Sequence, residues 1–209
     1  MGTVIVVDHP LVQHKLAQCR RVETEMWQFR GLAEELTSLL LYEATADMLT
    51  VEIKLKTPIA ECGGRAIDGV PPVFIAVLRA GLGMVPGAMR LFPNARTGHI
   101  GLYRDHDTYK PVEYYCNLPS NLKDVDCYML EPMLATGGSA VHALHVLKKS
   151  GANKIRLLSL IAAPEGIEAL TKSHPDVKIY LAAIDQKLNE KAYIVPGLGD
   201  AGDRLFGTT

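Results

Sequence analysis

At 209 residues, 48% of them hydrophobic, the chain is long enough for one domain with a sizeable core and too short for several. A formal net charge of −1 excludes a general nucleic-acid or membrane-surface binder, which needs a strong basic excess. The four cysteines, Cys19, Cys62, Cys116 and Cys127, form neither a Cys-x-x-Cys pair nor a metal-ligand spacing. The sequence opens without a secretory-type segment and has no apolar run of membrane-spanning length, so a cytoplasmic protein with reduced thiols is expected.

In chain order, residues 3–7 read as a short strand or arm. Asp8 is the candidate cap of the next helix, with Pro10 in its first turn. His9 and His14 are read as surface polar contacts rather than ligands. Residues 27–49 repeat Phe29, Leu32, Leu36, Leu39, Leu40 and Ala44 at helical spacing, a face wide enough to pack on a sheet or a partner subunit. From 51 to 58, Val51, Ile53 and Leu55 alternate with Glu52, Lys54 and Lys56, as in a half-exposed strand. Cys62-Gly63-Gly64 reads as a turn, with 65–67 pairing back.

Residues 73–78 are continuously apolar, as in a strand buried on both faces, and end at Arg79-Ala80-Gly81 before a helix over 82–91. A guanidinium where a buried strand meets a helix suits an anion such as a diphosphate, and small neighbours let the backbone approach it; the alternative is an Arg merely reaching out to solvent. Residues 98–104 form another strand ending at Arg104, 106–111 a polar loop, and 112–118 a returning strand. This hairpin is read as a projecting flap able to cover a site. Arg104 then meets ligand phosphate on closure, or else only pairs with Asp105 or Asp107.

The most informative stretch is Glu131-Pro132-Met133-Leu134-Ala135-Thr136-Gly137-Gly138-Ser139. An apolar strand over 125–130 precedes it. Val141, Leu144, His145 and Leu147 follow at helical spacing. A strand, a loop of small residues and a helix N-terminus together aim several N–H groups and a positive dipole end at one point, which suits a phosphate. No Lys follows the glycines and the three-glycine dinucleotide spacing is missing, so neither the triphosphate loop nor the dinucleotide fingerprint applies. Glu131 is placed to hold sugar hydroxyls or a metal.

Gly151 marks the end of that helix, 155–162 is a buried strand, 163–173 a helix and 177–184 a strand. Repeated alternation predicts an α/β fold with a mostly parallel central sheet and helices on both faces. The last stretch, 193–204, is rich in glycine yet keeps Tyr193, Ile194 and Leu198. It reads as a loop whose backbone recognises a small flat ring, with Tyr193 and Ile194 as apolar walls. Of Asp200 and Asp203, one is a candidate partner of Arg204.

The loop 130–140 resembles the phosphoribosyl-pyrophosphate (PRPP) loop of the phosphoribosyltransferases, and its wording is that of the uracil branch. The runs 7–16, 78–81, 98–105, 162–166 and 193–208 also resemble that family, so the likeness covers nearly the whole chain. It implies one type I domain over 1–209, with an N-terminal arm and helices over about 1–50 and a hood loop over about 185–209. It also implies transfer of the phosphoribosyl group from PRPP to uracil N1, giving UMP and pyrophosphate. By matching positions, Arg79 and Arg104 bind the diphosphate side and residues 131–139 hold the ribose and 5′-phosphate. Ile194 and the Gly199, Asp200 and Ala201 backbone read uracil, and Asp200 also touches PRPP or its metal. Arg79, Arg104 and Asp200 are the candidate catalytic residues, with Asp200 or a nearby water as the candidate proton acceptor. Magnesium is the implied cofactor, held mainly through PRPP, with no protein ligand assigned. Homo-oligomers and, in some members, activation by GTP are further implications.

The sequence departs from the family pattern at Glu131, usually Asp; at Gln186 and Lys187, usually an acidic–basic pair; at Ala192, usually Gly; and over 23–28, which lacks a Thr-Gly turn. Rival readings are a phosphoribosyltransferase for another base such as a purine, an RNA- or nucleotide-binding regulator of the same fold, and an inactive homologue, for which Glu131 is the only argument.

Overall fold

The computed structural model describes residues 2–104 and 111–208. The elements run β1 (Val4–Val6), α1 (Pro10–Arg20), α2 (Met26–Ala44), β2 (Thr50–Lys56), β3 (Glu61–Ile67), β4 (Val73–Leu78), a 3-10 turn (Ala80–Met84) and α3 (Val85–Leu91). Then come β5 (Arg96–Arg104), β6 (Pro111–Asn117), β7 (Asp126–Leu130), β8 (Met133–Leu134), α4 (Gly138–Lys149), β9 (Lys154–Ala162) and α5 (Pro164–Ser173). The chain closes with β10 (Lys178–Ile184), β11 (Lys187–Leu188), β12 (Ile194–Val195) and α6 (Ala201–Phe206).

The main sheet has the order β1-β10-β9-β7-β4-β5-β6, with β8 added beside β9, and is parallel except for β6. Strand alternation divides the core in two. Phe74, Tyr128, Leu130, Leu158 and Tyr180 face one side and pack with Phe29, Leu36 and Leu40 of α2 and Met84. Val73, Ile75, Met129, Leu157 and Ile179 face the other and pack with Ala143, Leu144 and Leu147 of α4 and Leu170 of α5. Both faces are therefore covered, which is why the central strands read as unbroken apolar runs.

Local corrections have simple causes. His9, not Asp8, caps α1: its Nδ1 accepts the Leu11 N–H at 3.1 Å. Helix α2 stops at Ala44 instead of running to 49, and Thr45 caps it by bonding back to Leu41 and Tyr42. Strand β2 is exposed on both faces, not half-buried. It pairs only with β3, and Cys62-Gly63-Gly64 lies inside that partner strand, the turn being 57–60. The 193–204 stretch is not all loop: β11 and β12 pair in a small hairpin and α6 begins at Ala201. Gly151 does stand past the end of α4, at φ +94°.

The turn between β11 and β12 holds Ala192 at φ +60°, where the family pattern suggests glycine. A side chain in the left-handed region costs about 1–2 kcal/mol, less the extra chain entropy that glycine loses on folding. Ala192→Gly is expected to stabilise the protein by about 0.5–1 kcal/mol, read as a higher urea midpoint at unchanged slope.

Candidate active site

Strands β4 and β7 are parallel neighbours with Ala76 opposite Leu130. From β4 the chain proceeds to β5 on one side; from β7 it proceeds to β9 and β10 on the other. Helix α4, between β7 and β9, covers the opposite face from α3, between β4 and β5. A sheet wound this way opens a crevice at the carboxyl ends of the two strands, where the winding reverses. Arg79 follows one strand and Glu131 the other. The two ends touch: a Cβ on Gly81 would lie 2.4 Å from the Leu130 carbonyl oxygen. The Leu78–Arg79 peptide is cis.

The loop after β7 is braced from outside. The Pro132 carbonyl accepts from Leu160 N at 3.0 Å and Ile161 N at 3.2 Å, and the Leu134 carbonyl accepts from Ala163 N at 2.9 Å. Gly166 at the start of α5 lets the Leu134 and Ala135 carbonyls come close, since a Cβ there would lie within 2.6 Å of both oxygens. Gly137, at φ +80°, then turns the chain into α4. Among the described residues nothing accepts from the Gly137, Ser139 or Ala140 N–H, and the Gly138 N–H reaches only Thr136 Oγ1, at 3.5 Å. These N–H groups stand at the N-terminus of a helix of 12 residues, the place where the sequence suggests a phosphate.

Glu131 is half-buried as a residue, yet its Oε2 is sealed from solvent and has no hydrogen-bond partner among the described residues. Burial pushes its carboxyl up to about 8. A buried acceptor with nothing to accept is costly; a sugar hydroxyl or a cation at the β7 end would satisfy it.

The C-terminal segment closes over the same edge. Asp200 caps α6, its Oδ1 accepting the Asp203 N–H at 2.9 Å. Asp203 approaches Arg79 Nη2 at 3.6 Å, and the Arg79 guanidinium lies 5.8 Å from the Phe206 ring. A Cβ on Gly202 would lie 3.2 Å from Asp200 Oδ1 and 3.8 Å from Arg79 Nη2. Arg79, Asp200 and α6 therefore share one corner of the crevice. Among the described residues nothing accepts from the Gly199, Asp200 or Ala201 N–H, which leaves these peptides able to read a ring edge.

Two expectations change. Ile194 is 4% exposed and sits in the core, so its side chain is no wall of an open slot and only its backbone can face a ligand. Neither Asp200 nor Asp203 pairs with Arg204, whose guanidinium instead donates to the carbonyls of Cys19, Leu198, Arg21 and Thr24. Arg104 ends β5, where 102–104 pair with β6 beyond the last residue paired with β4; its side chain and Asp105 and Asp107 lie outside the described residues. The hairpin does project past the sheet edge from Leu102 onward. A groove of about 1040 Å³ lies along β2 and β3 and contains none of these residues. No motif or spacing pointed to Arg20 and Asp185: Arg20 bonds Asp185 across 165 residues of chain and the Gly197 carbonyl across 177, and Asp185 accepts the Gly197 N–H.

A parallel sheet, an anion cradle after β7, an arginine after β4 and a hood over both define a type I phosphoribosyltransferase. In fold, the chain is similar to adenine phosphoribosyltransferase from Thermoanaerobacter pseudethanolicus (TM-score 0.52, 12% identity, 76% of this chain and 84% of that one). It is far closer to the AQ2163 protein of Aquifex aeolicus (TM-score 0.93, 37% identity, 99% of each chain). The family model described as uracil phosphoribosyltransferase matches residues 6–208. A protein named uracil phosphoribosyltransferase from Symbiobacterium thermophilum is 57% identical over the full length of both chains, and one from Bacillus velezensis is 54% identical, also over the full length of both. The chain belongs to the uracil phosphoribosyltransferase family.

Glu131 carries a pH signature in the ligand-free protein. The folded state keeps its proton up to about pH 8, while the unfolded chain releases it near the ordinary 4.5. Stability from this group is therefore full below pH 4.5 and falls as pH rises toward 8, by up to about 4 kcal/mol. Glu131→Gln should flatten that slope, so that urea melts at pH 5 and pH 8 converge relative to the parent.

Proposed function

We propose that the crevice binds PRPP and uracil and transfers the phosphoribosyl group to uracil N1, forming UMP and releasing pyrophosphate in pyrimidine salvage. The observation that carries this reading is that the N–H groups of 137, 139 and 140 at the start of α4, and those of 199–201 at the same sheet edge, have no acceptor among the described residues. The amides of 137–139 hold the 5′-phosphate, and Glu131 takes the ribose hydroxyls on its orphaned oxygen. Arg79 and Arg104 stabilise charge gathering on the departing diphosphate as the C1′–oxygen bond loosens. The Gly199–Ala201 peptides, with Ile194 main chain, orient the base. Asp200 keeps one carboxylate oxygen on its own helix and has the other to take the uracil proton.

Magnesium belongs to this reading through the substrate. Among the described residues no group of three or more His, Cys, Asp or Glu side chains is arranged to hold a metal. An ion that takes most of its oxygens from diphosphate and water needs few protein ligands, and Asp200 and Asp203 are carboxylates at the Arg79 corner that could supply one. When bound it supplies neutralisation of diphosphate charge. Among the described residues no helix is long and apolar enough to cross a membrane, and we assign the protein to the cytoplasm. Association with a second copy is supported by the apolar side chains that β2 and β3 leave exposed, Val51, Ile53, Leu55 and Ile67. Activation by GTP rests on the family resemblance.

The direct test is UMP formation from uracil and PRPP, with and without magnesium and GTP, and with adenine and hypoxanthine as competing bases. Exclusive use of a purine, or no turnover with magnesium present, would overturn the reading. Arg79→Ala should lower kcat/KM by about 10- to 100-fold, the worth of one charged hydrogen bond in the transition state. Asp200→Asn keeps a good helix cap, so the fold should stand while turnover falls; unchanged turnover from pH 6 to 9 would remove Asp200 as proton acceptor.

A further inference from the structure

The two residues ahead of the uracil-reading peptides are both tied to one distant corner of the fold, the end of α1. Asp185 stands just past β10, its side chain 4% exposed and its N–H fixed to the Ala162 carbonyl at 2.8 Å. Arg20, in the last turn of α1, meets both carboxylate oxygens, Nη1 to Oδ2 at 2.8 Å and Nη2 to Oδ1 at 2.5 Å. Gly197 closes the ring: its N–H donates to Asp185 Oδ2 at 2.9 Å and its carbonyl accepts from Arg20 Nη1 at 2.7 Å. One residue on, the Leu198 carbonyl accepts from Arg204 Nη1 at 2.9 Å. The same guanidinium donates to Cys19, Arg21 and Thr24 carbonyls at the α1–α2 corner, and its carbon lies 4.3 Å from the centre of the wholly buried Phe29 ring.

These contacts matter because of what they restrain. Gly197 and Gly199 sit at φ +67° and +79°, and a segment with two such glycines has wide freedom unless held. A main-chain reader of a ring edge works only if its N–H and C=O vectors are fixed before the base arrives. A bidentate guanidinium–carboxylate pair fixes direction as well as distance, and an ammonium in its place would not.

We propose that Arg20, Asp185 and Arg204 are positioning residues for the base: by anchoring Gly197 and Leu198 they set the orientation of the 199–201 peptides, and so govern uracil affinity and selectivity while leaving the PRPP cradle untouched. This rests on the reading of 194–201 as the base site. None of the three is assigned a contact with either substrate.

Removing one partner outright would strand a buried charge and risk the fold, so the test uses Arg20→Lys and, independently, Arg204→Lys, each keeping its charge. Both are expected to raise KM for uracil about tenfold, to narrow discrimination against cytosine, and to leave KM for PRPP within about twofold. Gly199→Ala, which strains the reading peptides themselves, serves as the control on the site. If Gly199→Ala raises uracil KM while both lysine variants leave it unchanged, or raise both KM values alike, the positioning role is overturned and the base site stands. If Gly199→Ala also leaves uracil KM unchanged, the reading of the base site itself has failed.

Discussion

Parallel strands that carry their chains away to opposite faces leave backbone groups at their ends with no neighbour to bond, and at β4 and β7 this happens side by side. The polar groups stranded there must meet water or a ligand, because a buried amide without a partner costs about 1–3 kcal/mol. The rest of the sheet edge is arranged around that vacancy in the hydrogen-bond network. β9 and α5 brace the loop after β7 from behind. Gly81 allows the two strand ends to touch. Helix α4 starts at the loop and directs its positive end at the crevice.

The two substrate halves are served by different means. The phosphate side is local: strand, loop and helix are consecutive over 126–149 and need only β9 and α5 as support. The base side is assembled from afar. In the proposed reading its peptides come from the last tenth of the chain, behind Gly197 and Leu198, which are tied to α1 through Arg20 and Arg204 and to the end of β10 through Asp185. Arg79 joins the halves, since it follows β4 yet lies against Asp203 and Phe206 of α6.

That division explains what could be read from the chain. The α4 cradle was legible because its apolar strand, small residues and helical spacing lie next to one another in sequence; the buried strands β4, β9 and β10 were legible because burial on both faces leaves unbroken apolar runs. Alternation misled at β2, where every second residue is apolar but both faces are exposed among the described residues. Glycine density misled at the C-terminus, where a capped helix of six residues follows Asp200. The pairing of Arg20 with Asp185 had no local trace at all. Charges that meet across 165 residues leave no periodicity and no motif, only an acid after an apolar strand, the same pattern as Arg79 after β4.

A base read by main-chain groups places an unusual burden on the side chains behind it. Every residue offers the same N–H and C=O, so exchanging Gly199 or Ala201 for another residue alters space and strain but not the hydrogen-bond pattern presented. Pattern is set by direction, and direction is set where the peptides are held. Gly197 accepts no side chain, because a Cβ would meet the Ile194 carbonyl oxygen at 2.2 Å, and Leu198 is buried. Control over which ring edge fits therefore passes outward to the Arg20–Asp185 ring and to Arg204. Amides that hold an oxyanion from several sides tolerate small rotations far better than donors and acceptors that must face a planar edge in order, so the proposed phosphate site asks less of its supports than the proposed base site.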